Sequence, residues 1–340
     1  MDIYDKDGWL DMEKVMRYNF PITVICGGRG TGKTFGILRW ILAHGEKFML
    51  SRRTEKETKK IADPLYSPFK SVLDKNPQFA NLEYEKKDDM GVVYAVRGDE
   101  REVIGYIMSL IGIADIRGMD TSDVKIWVYD EFIPEKHKRN IRDESTCILQ
   151  AFETIGRNRE LEGKPPLRLV ALANSNRVDN ALFEAFGLIN IAQDMSDGKR
   201  APVYANTDRG ILLIFLEDSP ISKRKRNTVL YKAAAIDGFT QMALDNDFPS
   251  IDNSRIKSMP LGEFRPLASC GELNIYRHKS NNIWYISGHR SGHPMIYSNT
   301  DTDIARMRDR FSSVWFNYIE QNNVYFENTA CLVLFEKLFK

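Results

Sequence analysis

The stretch VICGGRGTGKT, residues 24–34, decides how the rest of the chain is placed. An apolar run from Ile22 to Cys26 predicts a strand, which breaks into a turn carrying Gly27, Gly28, Gly30 and Gly32. Glycine has no Cβ to forbid positive φ, so such a turn curls with its N–H groups pointing inward. Lys33 and Thr34 then open a helix whose first turn carries partial positive charge. The whole fits the phosphate-binding pattern G-x-x-x-x-G-K-[ST]. The amides of Gly27, Gly28, Arg29, Gly30, Thr31 and Gly32 cradle phosphates, Lys33 reaches the β and γ oxygens, and Thr34 ligates Mg²⁺. A nucleoside triphosphate with Mg²⁺ is the expected ligand.

With 340 residues the chain has room for two domains. Hydrophobic residues make up 43% and charged residues 28%, an ordinary globular balance. The net charge of +1 makes any basic surface a local one. Cys26, Cys147, Cys270 and Cys331 lie far apart without a metal-ligand rhythm, and read as reduced thiols of a cytosolic protein. The beginning MDIYDKDGWL has acids where a signal peptide needs bases, and no apolar run approaches a membrane span, so no membrane is expected.

Around the phosphate-binding stretch, the first twenty residues form an amphipathic lead-in with Trp9, Leu10, Met12, Val15, Met16 and Tyr18. Either these pack on the first strand, or one aromatic among them stacks on the nucleotide base. A helix runs from Phe35 to Ala43, and KFMLSRR (47–53) is a second strand leaving Arg52 and Arg53 at its end. A helix broken by Pro64 and Pro68 follows. LEYEKK, GVVYAVR and EVIGYIMSL are successive strands, with turns at Asp88-Asp89 and Gly98-Asp99. VKIWVYDEF (124–132) is a buried strand ending in two acids, Asp143 to Leu161 a helix, and LRLVALANSN (167–176) another buried strand. Strands that are apolar on both faces and alternate with helices predict a mainly parallel α/β sheet. After residue 200 come the strand ILLIFLED, the basic run SPISKRKRN, a helical NTVLYKAAAIDG, the short strands ELNIYRH, NIWYISGH and PMIYS, and helices over 302–320 and 328–339. The expected division is a P-loop domain over 1–200, a linker over 201–235 and a smaller α+β domain over 236–340.

Asp130 and Glu131 close IWVYDE in the Walker B manner. An Asp at a strand end can hold Mg²⁺, and the adjacent Glu can take a proton from a water attacking the γ-phosphate. That acid pair favours a hydrolase over a small-molecule kinase. Parallel strands end together, so Asn174, Ser175 and Asn176 belong at the same edge. Asn174 is either a sensor for γ-phosphate, water or Glu131, or a cap for the next helix. Arg157 and Arg159 flank Asn158 at a helix end, and Arg117 lies in the polar loop IGIADIRGMDTSD. These arginines either enter a neighbouring subunit's site or are solvated surface residues. Lys223, Arg224, Lys225 and Arg226 form a basic run at the junction of the two parts: a solvated linker face, or, if the chain is a motor on DNA as the resemblance below implies, the first candidates for DNA phosphates.

GGRGTGKT, FMLSRR, the DIRG loop, IWVYDEF, ETIGRNRE and ANSN, in this order, resemble the DNA-packaging ATPases of phi29-like bacteriophages, relatives of large terminase subunits. The resemblance is most specific over 24–176 and weaker through KRKRN, DGFT and ALDNDF. It implies an additional-strand, catalytic-glutamate (ASCE) ATPase domain, working as a pentameric ring at the portal vertex of a procapsid in the host cytoplasm. There it drives double-stranded DNA into the head, with a packaging RNA as a further candidate member of the ring. By position, Lys33 and Thr34 bind phosphate and Mg²⁺, Asp130 is the Walker B acid and Glu131 the catalytic base. Arg157 matches a trans-acting arginine finger, Asn174 the residue paired with the glutamate, and Arg117 a second trans-acting base. The C-terminal part matches a nuclease-like (RNase H-type) fold. Glu272 is the only acid in 264–300, and Asp301, Asp303 and Asp309 have no strand-borne partner, so no two-metal nuclease site is expected. His278, His289 and His293 lack acid or Cys partners at ligand spacing. The alternative is a P-loop helicase or other nucleic-acid remodeller. A small-molecule kinase and a DNA-bound scaffold with a relic loop are further ones.

Overall fold

In a computed structural model the chain is described over residues 3–79, 81–115, 120–134, 141–174, 177–216, 219–233 and 253–340. It divides into two compact units, Met1–Phe186 with Met195–Phe248, and Gly187–Asp194 with Pro249–Lys340.

The first unit is built on nine strands: β1 (Ile22–Gly27), β2 (Phe48–Arg52), β3 (Asn81–Lys87), β4 (Met90–Arg97), β5 (Glu100–Ser109), β6 (Ile126–Asp130), β7 (Arg168–Ala173), β8 (Val203–Asn206) and β9 (Ile211–Leu216). Their order is β3-β4-β5-β2-β6-β7-β1-β9-β8. The six strands from β5 to β9 pair in parallel, and β3, β4 and β8 extend the edges antiparallel. Parallel strands are covered on both faces, which is why β1, β6, β7 and β9 are near-continuous apolar runs. β7 stands between the P-loop strand β1 and the acid-bearing strand β6.

Helices α1 (Met12–Met16), α2 (Lys33–His44), α3 (Glu55–Ile61) and α4 (Phe69–Lys75) lie on one face, where Ile37, Leu38 and Ile41 meet Ile25, Leu50, Val128 and Leu172. α2 stops at Gly45, whose φ of +61° lets its amide return to the Ile41 carbonyl. α5 (Leu110–Asp115), α6 (Glu144–Gly156) and α7 (Ala181–Ala185) follow. On the α6 side the rings of Trp127, Tyr129, Phe132 and Phe183 form a chain of contacts.

Successive residues of a strand face opposite ways, and β2 uses this with charge. Arg52 turns toward the α2 face, while Arg53 is 1% exposed and bonded to Glu144 of α6, Nε to Oε1 at 2.6 Å and Nη2 to Oε2 at 2.7 Å. The Tyr129 hydroxyl donates to the same carboxylate at 3.2 Å. Two more helices, α8 (Ile189–Ser196) and α9 (Pro220–Lys225), and the short α10 (Val229–Ala233) complete the described helices before residue 253.

The linker expected over 201–235 is corrected by β8 and β9. ILLIFL is buried at every position between β1 and β8, and a run without a polar face cannot serve as a solvated connection. The predicted helix over 143–161 ends at Gly156, where Arg157 adopts φ 48°.

The second unit has a five-stranded sheet, β13-β10-β11-β12-β14, from β10 (Phe264–Cys270), β11 (Leu273–His278), β12 (Trp284–Ser287), β13 (Met295–Tyr297) and β14 (Val324–Phe326). Helices α11 (Asp301–Arg310), α12 (Ser312–Glu320) and α13 (Thr329–Phe339) share a core with it through Met307, Val314, Phe335, Ile275 and Phe326. The single helix expected over 302–320 is broken at Phe311, which leaves helical geometry and is buried.

The Arg53–Glu144 pair makes a test of the fold. Glu144→Gln strands a guanidinium in the interior, and we expect about 3–5 kcal/mol loss of stability, read from denaturant midpoints. Arg53→Met with Glu144→Met should recover most of it. A single Glu144→Gln costing under about 1 kcal/mol would mean the pair is solvated.

Candidate functional site

The parallel register sets the site. Asp130 lies level with Leu172 of β7, which is level with Ile25 of β1. Ser51 of β2 is level with Tyr129, so Arg52 arrives beside Asp130. Asn174 follows Ala173 at the end of β7, next to the turn that leaves Gly27.

That turn folds over the end of β1. Gly30 and Gly32 have φ of +69° and +94°, conformations that strain any residue with a Cβ. Lys33 is 5% exposed and bends back into the loop, its Nζ donating to the Gly27 and Gly28 carbonyls at 2.8 Å each. Burial pushes its ammonium down to about 8, with Asp130 pulling the other way and Lys225 adding to the fall. The Thr34 hydroxyl donates to Asp130 Oδ1 at 3.2 Å. Two hard oxygen donors so placed fit Mg²⁺, which takes oxygen ligands from few protein groups and from substrate phosphates.

Both acids of β6 are engaged. Arg52 Nη2 donates to Asp130 Oδ2 at 2.9 Å and Nη1 to Glu131 Oε2 at 2.8 Å. The Asn174 amide donates to the other Glu131 oxygen, Oε1, at 3.4 Å. Glu131 has φ 55°, which turns it out of the strand, and keeps its side chain 35% exposed. The carboxylate is thereby held from both sides, one oxygen by Arg52 and the other by Asn174. Over the P-loop lies a groove. That groove, about 660 Å³, is lined by Gly30 to Gly36 and Asn174 among others.

The structure therefore brings together the P-loop, Lys33, Thr34, Asp130, Glu131 and Asn174. It adds Arg52, whose part in the site the sequence did not disclose. The signal was present, an arginine at a strand end sharing an edge with two acids, but nothing in the order of residues tells which of Arg52 and Arg53 meets them.

Arg157 stands elsewhere. It is exposed, at the end of α6, whose Thr154 carbonyl accepts from Thr121, ahead of β6. Arg159 is 8% exposed and donates to the Val124 carbonyl at 2.7 Å, a backbone-satisfying role. Val124 and Asp130 are separated by roughly 20 Å of extended chain, so Arg157 is at the edge of the sheet opposite its own acids. Arg117, Ser175 and Asn176 lie outside the described residues.

The basic run is divided. Lys225 is half-buried and donates to the Arg29 carbonyl of the P-loop at 2.5 Å, and Arg224 donates to the Asp7 carbonyl at 3.0 Å. Lys223 and Arg226 are exposed.

In the second unit His289 pairs with Glu327 at 3.1 Å, His278 with Glu263 at 3.7 Å, and His293 packs edge-on against the Tyr276 ring. Among the described residues no group of three or more His, Cys, Asp or Glu could hold a metal. No described helix is long and apolar enough to cross a membrane.

A profile of the podovirus DNA encapsidation protein (Gp16) matches residues 4–258. The chain belongs to the podovirus DNA encapsidation family. DNA packaging proteins of Bacillus phages phi29 and B103 are each 27% identical to this family member, over 253 and 241 residues. Those matches cover 72% and 69% of this chain and 67% and 66% of the relatives. Among solved structures, the Phi-28 gp11 DNA packaging motor aligns with a TM-score of 0.68 at 18% identity, over 98% of this chain and 99% of that one. The bacteriophage Phi-29 viral genome packaging motor assembly aligns at 0.62 and 19%, over 99% and 100%. At these identities the likeness is one of fold, and it extends through both units of the chain.

Lys33 makes the site pH-dependent. Phosphate binding needs the ammonium, and in the free protein that proton leaves near pH 8. Above this value binding must take up a proton, so affinity for Mg·ATP should fall about tenfold per pH unit while being level below it. Titrations from pH 7 to 9.5 that stay flat would place the Lys33 proton elsewhere.

Proposed function

We propose that this chain is the ATPase of a viral DNA-packaging motor, moving double-stranded DNA through a portal into a procapsid. The observation that carries it is the convergence of Thr34, Asp130, Glu131 and Asn174 at the strand ends beside the P-loop, where Thr34 bonds Asp130 and Asn174 bonds Glu131. β7 between β1 and β6 is the strand insertion expected of the additional-strand, catalytic-glutamate class. Glu131 is the base: its carboxylate takes the proton of the attacking water, with Asn174 and Arg52 fixing its plane. Lys33 exchanges its loop carbonyls for β- and γ-phosphate oxygens. Thr34 and Asp130 would hold Mg²⁺, which would supply neutralising charge to those phosphates.

Partners follow from the family and from placement. Arg157, at the sheet edge away from its own acids, is suited to a neighbour's site in a ring, as a trans arginine; Arg117 has the same proposed role. A pentameric ring at the portal, joined by a packaging RNA and working in the host cytoplasm, completes the proposal. The second unit, with helices against a five-stranded sheet, is read as the nuclease-like fold without a metal site. No observation favours a helicase over this.

Glu131→Gln should bind ATP as the wild type does and turn it over at least about 100-fold more slowly. An Arg157→Ala chain, inactive alone, should regain measurable hydrolysis when mixed with Glu131→Gln, because one kind of interface then joins an intact Arg157 to an intact Glu131. Phosphate release is the readout. A mixture that assembles and stays inactive removes Arg157 from the trans role.

For DNA, contacts to phosphate should be indifferent to sequence and weaken steeply with salt. The exposed Lys223 and Arg226 are the proposed contacts within this run. Lys223→Gln with Arg226→Gln should lower the slope of log affinity against log salt by about 2. An unchanged slope would take DNA away from this run.

A further inference from the structure

Beside the P-loop, where β9 leads into α9, lies a cavity of about 370 Å³ lined by Asp7, Trp9, Ile221, Arg224, Lys225 and Thr228. Trp9 also lines the larger groove over the P-loop, so its indole stands where the two spaces meet. The residue is held firmly by its backbone. Its amide donates to Asp5 Oδ1 at 2.9 Å, its carbonyl accepts from the Asp5 amide at 2.8 Å, and the next amide, of Leu10, donates to the P-loop carbonyl of Thr31 at 3.0 Å. The ring is nonetheless 40% exposed. An indole presented on a pinned turn is a surface prepared for something flat.

The opposite wall is fastened to the same turn and to the same loop. A Cβ on Gly8 would come within 2.6 Å of Pro220 Cβ, so the turn and the start of α9 are in direct contact. Arg224 and Lys225 add their bonds to the Asp7 and Arg29 carbonyls. The cavity is thus a feature of the P-loop itself, closed on one side by the lead-in and on the other by α9.

Direction decides its occupant. Thr34, Asp130, Glu131 and Asn174 mark the γ-phosphate end on the β7–β6 flank of β1. A triphosphate cradled with its γ end there has its nucleoside end on the other flank, toward β9 and α9. Given the ATP site proposed above, on which it rests, we propose that the base of the bound nucleoside triphosphate stacks on the Trp9 indole in this cavity, with α9 as its second wall. Lys225 then stands between the base and the P-loop, beside the α-phosphate. Stacking uses the π-face that every base has, so Trp9 supplies affinity with little choice among bases.

The test compares a non-hydrolysable Mg·ATP analogue with Mg·tripolyphosphate, titrated calorimetrically into the full chain, its Trp9→Ala variant and its Trp9→Phe variant. Trp9→Ala should weaken the analogue about 5- to 100-fold and leave tripolyphosphate within about twofold, while Trp9→Phe keeps most of the affinity. Equal weakening of both ligands, or no weakening of either, overturns the base site while leaving the triphosphate site in place. A wild-type chain that binds neither ligand overturns the triphosphate site and the base site together.

Discussion

Two carboxylates at adjacent positions of one strand end repel each other, and the site depends on a cation that faces both. Arg52 is that cation. Its planar fork can meet two acceptors at once, which an ammonium cannot do in fixed geometry. For the fork to reach Asp130 and Glu131, β2 has to run parallel to β6 with Ser51 level with Tyr129, and this is the pairing observed. β7 must then enter on the other side of β6, and it brings Asn174 to the second Glu131 oxygen. The order β2-β6-β7-β1 is therefore the arrangement in which a cation, two acids, an amide and a phosphate loop share one edge.

Much of this was legible in the sequence. Glycines at 27, 28, 30 and 32 before Lys33 leave few backbone alternatives, and apolar runs ending in Asp130-Glu131 and Asn174 could only be buried strands with polar ends at one edge. The strands β3 to β5 were readable too, as successive strands with turns at Asp88-Asp89 and Gly98-Asp99, and they form the antiparallel extension of the sheet. What was not legible depended on partners far away in the chain. Arg52 and Arg53 are identical in type and neighbours in sequence, yet one meets the acids and the other a helix 91 residues on. Likewise Lys223 to Arg226 read as a uniform basic run. The structure separates them: Lys225 is half-buried on the Arg29 carbonyl, while Arg224 reaches the Asp7 carbonyl from an exposed position. Composition records the charge of such a run and not its direction.

The paired arginines also tie the two faces of the sheet together. Through Arg52 the end of β2 touches the acids, and through Arg53 it anchors the start of α6, the helix that ends at Arg157. A single dipeptide thus fixes both where hydrolysis is organised and how the far arginine is held. Arg157 itself has φ 48° and ψ −142°, a backbone conformation costing on the order of 1–3 kcal/mol for a residue with a Cβ. The fold tolerates that strain at an exposed arginine, and the rigid anchoring of α6 at its other end is one reason it can.

The Lys225–Arg29 bond has a mechanical meaning. α9 follows β9, the strand paired with the P-loop strand β1. A charge-assisted hydrogen bond of this kind contributes about 1.5–3 kcal/mol, enough to hold a short helix and little enough to be exchanged within a working cycle. The carbonyl it grips belongs to the loop that handles phosphate. A shift of that loop by an ångström therefore pulls on α9, so the phosphate loop and this helix are geared to one another through a single hydrogen bond.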